Sequence, residues 1–191
     1  MNKLLRILLM IVVTIGGTAH ATQDAASQSP FQVRLKAMEL KATTLAFHGR
    51  KAEAFDAWRD VQLYIHQNEG VDSLSQVGAL GAMINLHLRD NEVYEAERKK
   101  RMVLRLYALQ YDKNDIRYVP VLRKVAGWEA AAGAWSDAVF TYEDAIRIVE
   151  KHLKKSPSAD LKMELASLNE AADNAATRMF AADMSQSPIR W

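Results

Sequence analysis

Cysteine is absent from the 191-residue sequence. Disulfide bonds, thiol catalysis and thiolate metal sites are therefore excluded, and the fold must be stabilised by packing. No segment alternates apolar and polar residues between turn dipeptides, so no β-strand is predicted. His48, His66, His87 and His152 show neither helical pairing nor an HExxH motif, and the carboxylates form no isolated pair. The sequence thus predicts no metal or cofactor site and no enzyme active site.

The first 21 residues are predicted to form a secretory signal peptide. Lys3 and Arg6 precede an apolar run over residues 7–15 that is too short for a stable membrane span, and a small-x-small cleavage site ends at Ala21. An uncleaved anchor is the alternative. After cleavage we expect a bacterial protein that is periplasmic or secreted, with no stable membrane insertion.

Charge gives little reason to expect a nucleic-acid partner. The protein has 25 basic and 23 acidic residues, and the predicted signal peptide contains two of the basic ones and none of the acidic ones. The mature protein is therefore expected to be electrically balanced, without a general attraction to nucleic acid.

A repeat 42 residues long runs through the remaining sequence. Residues 22–28 are predicted to be a flexible leader, residues 29–184 a single helical domain and residues 185–191 a tail. A fixed period of this length is typical of stacked helical repeats, and it predicts three antiparallel helix pairs followed by one terminal helix. The matching columns are Gly49, Asn91 and Gly133 at the turns, Ala54, Ala96 and Ala138 at close helix contacts, and Val61, Val103 and Ala145 two helical turns further on.

Two segments carry a resemblance to a known family. Gly49–Trp58 and Gly133–Tyr142 both follow the pattern Gly-x-x-x-x-Ala-x-x-x-aromatic. This pattern resembles the second helix of the tetratricopeptide repeat, and the likeness extends over about residues 35–160, although the family's usual unit is shorter, at about 34 residues. The resemblance implies an all-α fold, an α-α superhelix of three helix hairpins with a C-terminal capping helix.

The middle hairpin departs from this pattern in both of its helices. Ile84 stands where the other hairpins have alanine, and Lys100 stands where they have an aromatic residue. Lys100 is therefore expected to extend its ammonium group to solvent, unless neighbouring side chains fill the space. The neighbours available for this are Tyr94, Leu104 and Tyr107.

Helix ends are predicted from capping residues. Two Ser-x-x-Gln segments, beginning at Ser29 and Ser73, are expected to form capping boxes. Gly70 is expected to supply a left-handed C-terminal cap. Ser156 is expected to cap the last helix and Pro157 to begin it.

In tetratricopeptide proteins the first helix of each pair lines a concave groove that receives a peptide or a partner helix. The resemblance therefore implies a similar surface here, in which Arg89, Arg123 and Lys124 would bind a carboxylate. Gly81 and Gly127 predict a close approach of backbones on this surface, either for packing between helices or for a ligand. The implied partner-binding residues are Lys36, Glu39, Phe47, Asn85, Arg89, Arg123 and Lys124.

The sequence also has one concentrated run of basic residues. Arg98, Lys99, Lys100, Arg101 and Arg105 lie on one predicted helix, with acidic residues nearby. One interpretation is a dock for an acidic partner or an anionic surface, and the other is a solvated helix face.

The leading hypothesis is an exported tetratricopeptide-like scaffold or adaptor that binds a protein or peptide in the bacterial cell envelope. A structural or self-associating component of an envelope assembly, a homo-oligomer, is the alternative. An enzyme or small-molecule binder is a third reading that no residue pattern favours.

Overall fold

The computed structural model describes residues 29–186 and, within them, consists of seven α-helices without a strand. The all-α class is thus confirmed. The predicted signal peptide, the leader and the last five residues lie outside the described residues. None of the described helices is long and apolar enough to cross a membrane. The helices are α1 (Pro30–Phe47), α2 (Lys51–Glu69), α3 (Val77–Arg89), α4 (Val93–Gln110), α5 (Val119–Ala131), α6 (Trp135–Lys155) and α7 (Ala159–Gln186).

Consecutive helices pack as three hairpins, α1–α2, α3–α4 and α5–α6, and α7 packs along α6. Successive hairpins contact each other through α2 and α3, through α4 and α5, and through α3 and α5. At the turn end, Lys51 Nζ lies 3.0 Å from Glu92 Oε1, and the Phe55 ring packs against His87. These two contacts hold the first hairpin to the second.

The three hairpin turns have the same backbone structure. Gly49, Asn91 and Gly133 all have positive φ, at 72°, 58° and 77°. Each turn is closed by a backbone N–H that donates five residues back, as in a Schellman motif. These bonds are Arg50 N to Leu45 O (3.0 Å), Glu92 N to His87 O (2.9 Å) and Ala134 N to Glu129 O (2.9 Å). The predicted turn column is confirmed.

Replacing Gly49 with Ala should lower the free energy of unfolding by about 1 kcal/mol, because the left-handed conformation is costly for a residue with Cβ. A Cβ there meets no atom of the described residues within 4 Å, so only the backbone is strained. Gly127→Ala is the matched control. It lies inside α5 with equal space and no positive φ, and it should raise stability by about 0.5–1 kcal/mol. Urea unfolding measures both, and equal signs would contradict this account.

The close-contact column is buried as predicted. Ala54, Ala96 and Ala138 are almost inaccessible to solvent, and so are Val61, Val103 and Ala145, two turns later. Trp58 and Tyr142 are buried as well. Small side chains therefore lie where paired helices come closest, and large ones fill the space beyond.

The structure contains one of the two predicted capping boxes. The box at Ser29 is confirmed, since Gln32 N donates to Ser29 Oγ (3.2 Å) and Ser29 N donates to Gln32 Oε1 (3.4 Å). The box at Ser73 is wrong, because Gln76 points into the core, where its Oε1 accepts from Gln62 Nε2 at 2.9 Å and its Nε2 donates to a backbone oxygen. A 3₁₀ turn, Leu74–Gln76, precedes α3 instead.

The start of the last helix is also displaced from its predicted position. Ser156 is the C-cap of α6. The N-cap of α7 is Ser158, whose Oγ accepts a hydrogen bond from Leu161 N at 3.1 Å. Proline therefore precedes the N-cap of α7 and does not occupy the first helical position. Gly70 does have positive φ (91°), but its ψ of 167° is extended, so it ends α2 without the predicted left-handed helical cap.

Candidate functional site

Four residues on α3 and three on α5 form one surface, which we call the α3–α5 face. Trp128 Nε1 donates a hydrogen bond to Asn85 Oδ1 at 3.1 Å, and this bond joins the two helices. The Trp128 ring also covers Gly81, where an added Cβ would lie 3.1 Å from Trp128 Cζ2. The face consists of Gly78, Gly81, Asn85 and Arg89 on α3 and of Lys124, Gly127 and Trp128 on α5.

The two glycines predicted to mark close approaches have different surroundings. At Gly81 the approach is real, but the neighbour is the Trp128 ring and not a backbone. At Gly127 an approach by a ligand stays a prediction, whereas the packing alternative is wrong, because no atom of the described residues lies within 4 Å of an added Cβ. The reason is that Gly127 lies on the exposed side of α5.

The three basic residues predicted to hold a carboxylate have different environments. Arg89 and Lys124 are exposed, and neither has an ion-pair partner among the described residues. Arg123 Nη2, in contrast, lies 2.9 Å from Glu164 Oε1 of α7. The contact has ion-pair distance without hydrogen-bond alignment, since Nε and Nη2 of Arg123 are buried and make no aligned hydrogen bond within residues 29–186. Arg123 thus connects α5 to α7, while the other two side chains face solvent.

The candidates on α1 lie apart from the α3–α5 face. Lys36 and Glu39 border a shallow depression together with Gln32 and Leu35. Phe47 is at the other end of α1, where 85% of it is exposed and its ring contacts His48.

The basic run on α4 is divided between surface and core. Arg98 pairs with Glu95 at 2.9 Å, and Arg101 lies 3.8 Å from Glu97. Arg105 is exposed, and Lys99 is half-buried with its pKa lowered, first by burial and then by Arg98. Lys100 points the opposite way, into the core. The surface part of the run is therefore partly neutralised by its own helix.

Lys100 forms a buried ionic network between three helices. Its Nζ lies 2.7 Å from Glu129 Oε1 and 2.7 Å from Glu97 Oε2, and Thr141 Oγ1 donates to Glu129 Oε2 at 2.7 Å. The side chains of Lys100 and Glu129 are only 10% and 9% exposed. The expectation that Lys100 extends to solvent is therefore wrong, because a carboxylate on α5 meets its ammonium group inside the protein.

The network borders a cavity of about 150 Å³ at the turn end, between the second and third hairpins. Ile84 and Lys100, the two departures of the middle hairpin, both line it, as do Trp128 and Glu129. The two departures are thus neighbours in space. Glu129 and Trp128 were missed by the sequence analysis, and the signal for Glu129 was Lys100 itself, since a lysine in a buried column requires an acidic partner.

No model of a known protein family matches this protein, and no curated protein has a similar sequence. Among the described residues no three side chains of the metal-binding types lie together. The site must therefore be interpreted from its own geometry. Its exposed part, the α3–α5 face, offers hydrogen-bonding, aromatic and cationic groups, whereas the carboxylates at the cavity are largely engaged by Lys100.

Proposed function

We propose that the protein is an exported, tetratricopeptide-like scaffold that binds a protein or peptide in the bacterial cell envelope through the α3–α5 face. The single observation that carries this proposal is that face: an aromatic ring, an amide, glycines and two solvent-facing cations presented across successive first helices of the hairpins. The repeated turns and buried columns support a superhelical stack in which these first helices line a concave side.

The chemistry of the face favours an extended acidic segment or a C-terminal carboxylate as the ligand. Gly78 and Gly127 leave room for a peptide backbone to come close to the helices. Asn85 uses its Oδ1 on Trp128, so its Nδ2 can donate to a peptide carbonyl. Arg89 and Lys124 then supply positive charge for a carboxylate.

The proposed face can be tested by affinity capture from envelope extract. The double variant Arg89→Glu, Lys124→Glu reverses both exposed cations and spares Arg123, whose replacement would also disturb α7. We expect the amount of captured partner to fall by at least about tenfold, because reversing two charges turns attraction into repulsion. The control is Arg147→Glu, Lys151→Glu, which makes the same change of charge on α6 and should capture the wild-type amount.

The proposal is wrong if the α3–α5 variant captures as much of every partner as the wild type does. Equal losses in both double variants would show that net charge alone governs binding, which also contradicts a specific face. Far-ultraviolet circular dichroism of all variants shows whether the helices are intact.

A further inference from the structure

Helix α1 has an apolar stripe that the other described residues leave uncovered. Although α1 is 18 residues long, Ala42 is its only buried residue. Val33, Leu40 and Phe47 are 52%, 68% and 85% exposed. They follow one another at seven-residue intervals, with Ala37 and Thr44 between them. The outer stripe, as we call these five residues, has the alternating four- and three-residue spacing of helices that pack side by side.

The opposite end of the protein is different. The outward side of α7 also exposes Met163, Phe180 and Met184 (64%, 62% and 79%), but the charged residues Glu170 and Asp173 lie between them. End units of stacked helical proteins need a polar outer face to stay soluble. Charged residues interrupt the exposed apolar side chains of α7, whereas the outer stripe of α1 contains no charged residue.

The same surface separates charges of opposite sign. A groove of about 700 Å³ runs between α1 and α2, beside the outer stripe. Lys41 borders it on α1, and Glu53, Asp56 and Asp60 border it on α2. Arg50 pairs with Glu53 and Arg59 with Asp56, but Asp60 has no ion-pair partner among the described residues. At this groove α1 therefore contributes the cation Lys41, and α2 contributes three carboxylates, of which Asp60 is unpaired within the described residues.

We propose that two copies of the protein associate through this face as a two-fold symmetric dimer. If the symmetry axis runs parallel to the helices, each α1 lies over the other copy's α2. The outer stripe then enters the other copy's groove, and Lys41 of each copy faces the carboxylates on α2 of the other copy. A two-fold interface of this kind is closed, so association stops at the dimer. It leaves the α3–α5 face free, and the inference does not depend on the proposed function.

The size of the face sets the concentration at which the dimer should form. An 18-residue helix is about 27 Å long and each helix about 10 Å wide, so the hairpin covers roughly 500 Å² in projection. Standard interfaces bury about 800 Å² per partner. We therefore expect a dissociation constant of about 1–100 μM.

Sedimentation velocity at protein concentrations from about 1 to 500 μM tests the dimer. The protein is expressed with its full sequence, and the mass of the purified product is measured. The wild type should pass from the monomer mass to twice that mass across this range. Leu40→Asp should raise the dissociation constant at least about tenfold, because it places a charge in the centre of the stripe. Leu109→Asp is the matched control, an exposed leucine (55%) on α4, and should change it less than about twofold.

Charge exchange tests the arrangement of the two copies. Lys41→Glu and Asp60→Lys should each weaken the dimer by about three- to tenfold, and the two together in one molecule should restore it to within about twofold. Wild-type protein that stays at the monomer mass at every concentration would overturn the proposal. That result would also be obtained if a different protein covers the stripe, and the dimer would be wrong in that case too. Equal weakening by Leu109→Asp, or a double charge variant weaker than either single one, would also overturn the proposal.

Discussion

Replacing Lys100 with Met should lower the free energy of unfolding by about 3 kcal/mol, because Glu129 would be left as a buried carboxylate without its cation. Thr141 Oγ1 would remain its only hydrogen-bond donor in the network. A methionine fills nearly the same space as the lysine side chain, so the loss reports on charge and not on volume. Equilibrium unfolding in urea, followed by circular dichroism, measures it.

Two further variants separate this network from general effects of charge. Lys99→Met removes the neighbouring, half-buried charge of the same helix and should change stability by no more than about 0.5 kcal/mol. The pair Lys100→Met, Glu129→Leu removes both buried charges and should recover most of the loss, since apolar replacements of buried ion pairs are often neutral or stabilising. A loss below about 1 kcal/mol for Lys100→Met would show that the ion pair is not buried as described.

The same network gives a pH dependence whose sign is fixed. Burial, the largest single effect, would lower the pKa of Lys100, but its hydrogen bonds to Glu129 and Glu97 and the attraction of their charges together raise it above the ordinary value of 10.5. A raised pKa means that the folded state holds this proton more tightly than the unfolded state does. The stabilisation by Lys100 is therefore complete below about pH 10.5 and is lost as the pH rises through the raised pKa.

Replacing Ile84 with Ala should cost about 3–4 kcal/mol, because Ile84 is fully buried and its removal would enlarge an existing cavity. The neighbours cannot close over the space easily, since the charged network forms one wall. Leu109→Ala removes a similar volume from an exposed position of α4 and should cost less than about 1 kcal/mol. Equal losses in urea unfolding would contradict the placement of Ile84.

The parts of the fold that could be predicted depend on local chemistry. A positive φ is cheap only for Gly and, to a lesser extent, Asn, so the residues at 49, 91 and 133 indicated the turns correctly. Close helix contacts require small side chains, so the alanine column was also predictable. Ser73 and Ser156 were misread because a local capping motif cannot show that Gln76 has better partners in the core, or that the next serine caps α7.

The candidate site was harder to predict because its contacts join distant parts of the sequence. Lys100 on α4 pairs with Glu129 on α5, 29 residues later in the sequence. Trp128 and Asn85 are 43 residues apart. The resemblance to a repeat family implies a groove lined by the first helices, but it does not imply which side chains on them already have partners. Arg123 illustrates this, since Glu164 of α7 lies beside it. All seven partner-binding residues stay predictions: Lys36, Glu39, Phe47, Asn85, Arg89, Arg123 and Lys124.

The most direct test of the central claim is site-specific photocrosslinking in living cells. A photoreactive residue placed at Lys124, on the α3–α5 face, should give a covalent adduct with a partner protein in the cell envelope. The same residue placed at Arg147, an exposed position of α6, should give none of that adduct. An absence of any adduct from position 124, or the same adduct in equal amount from both positions, would contradict the account.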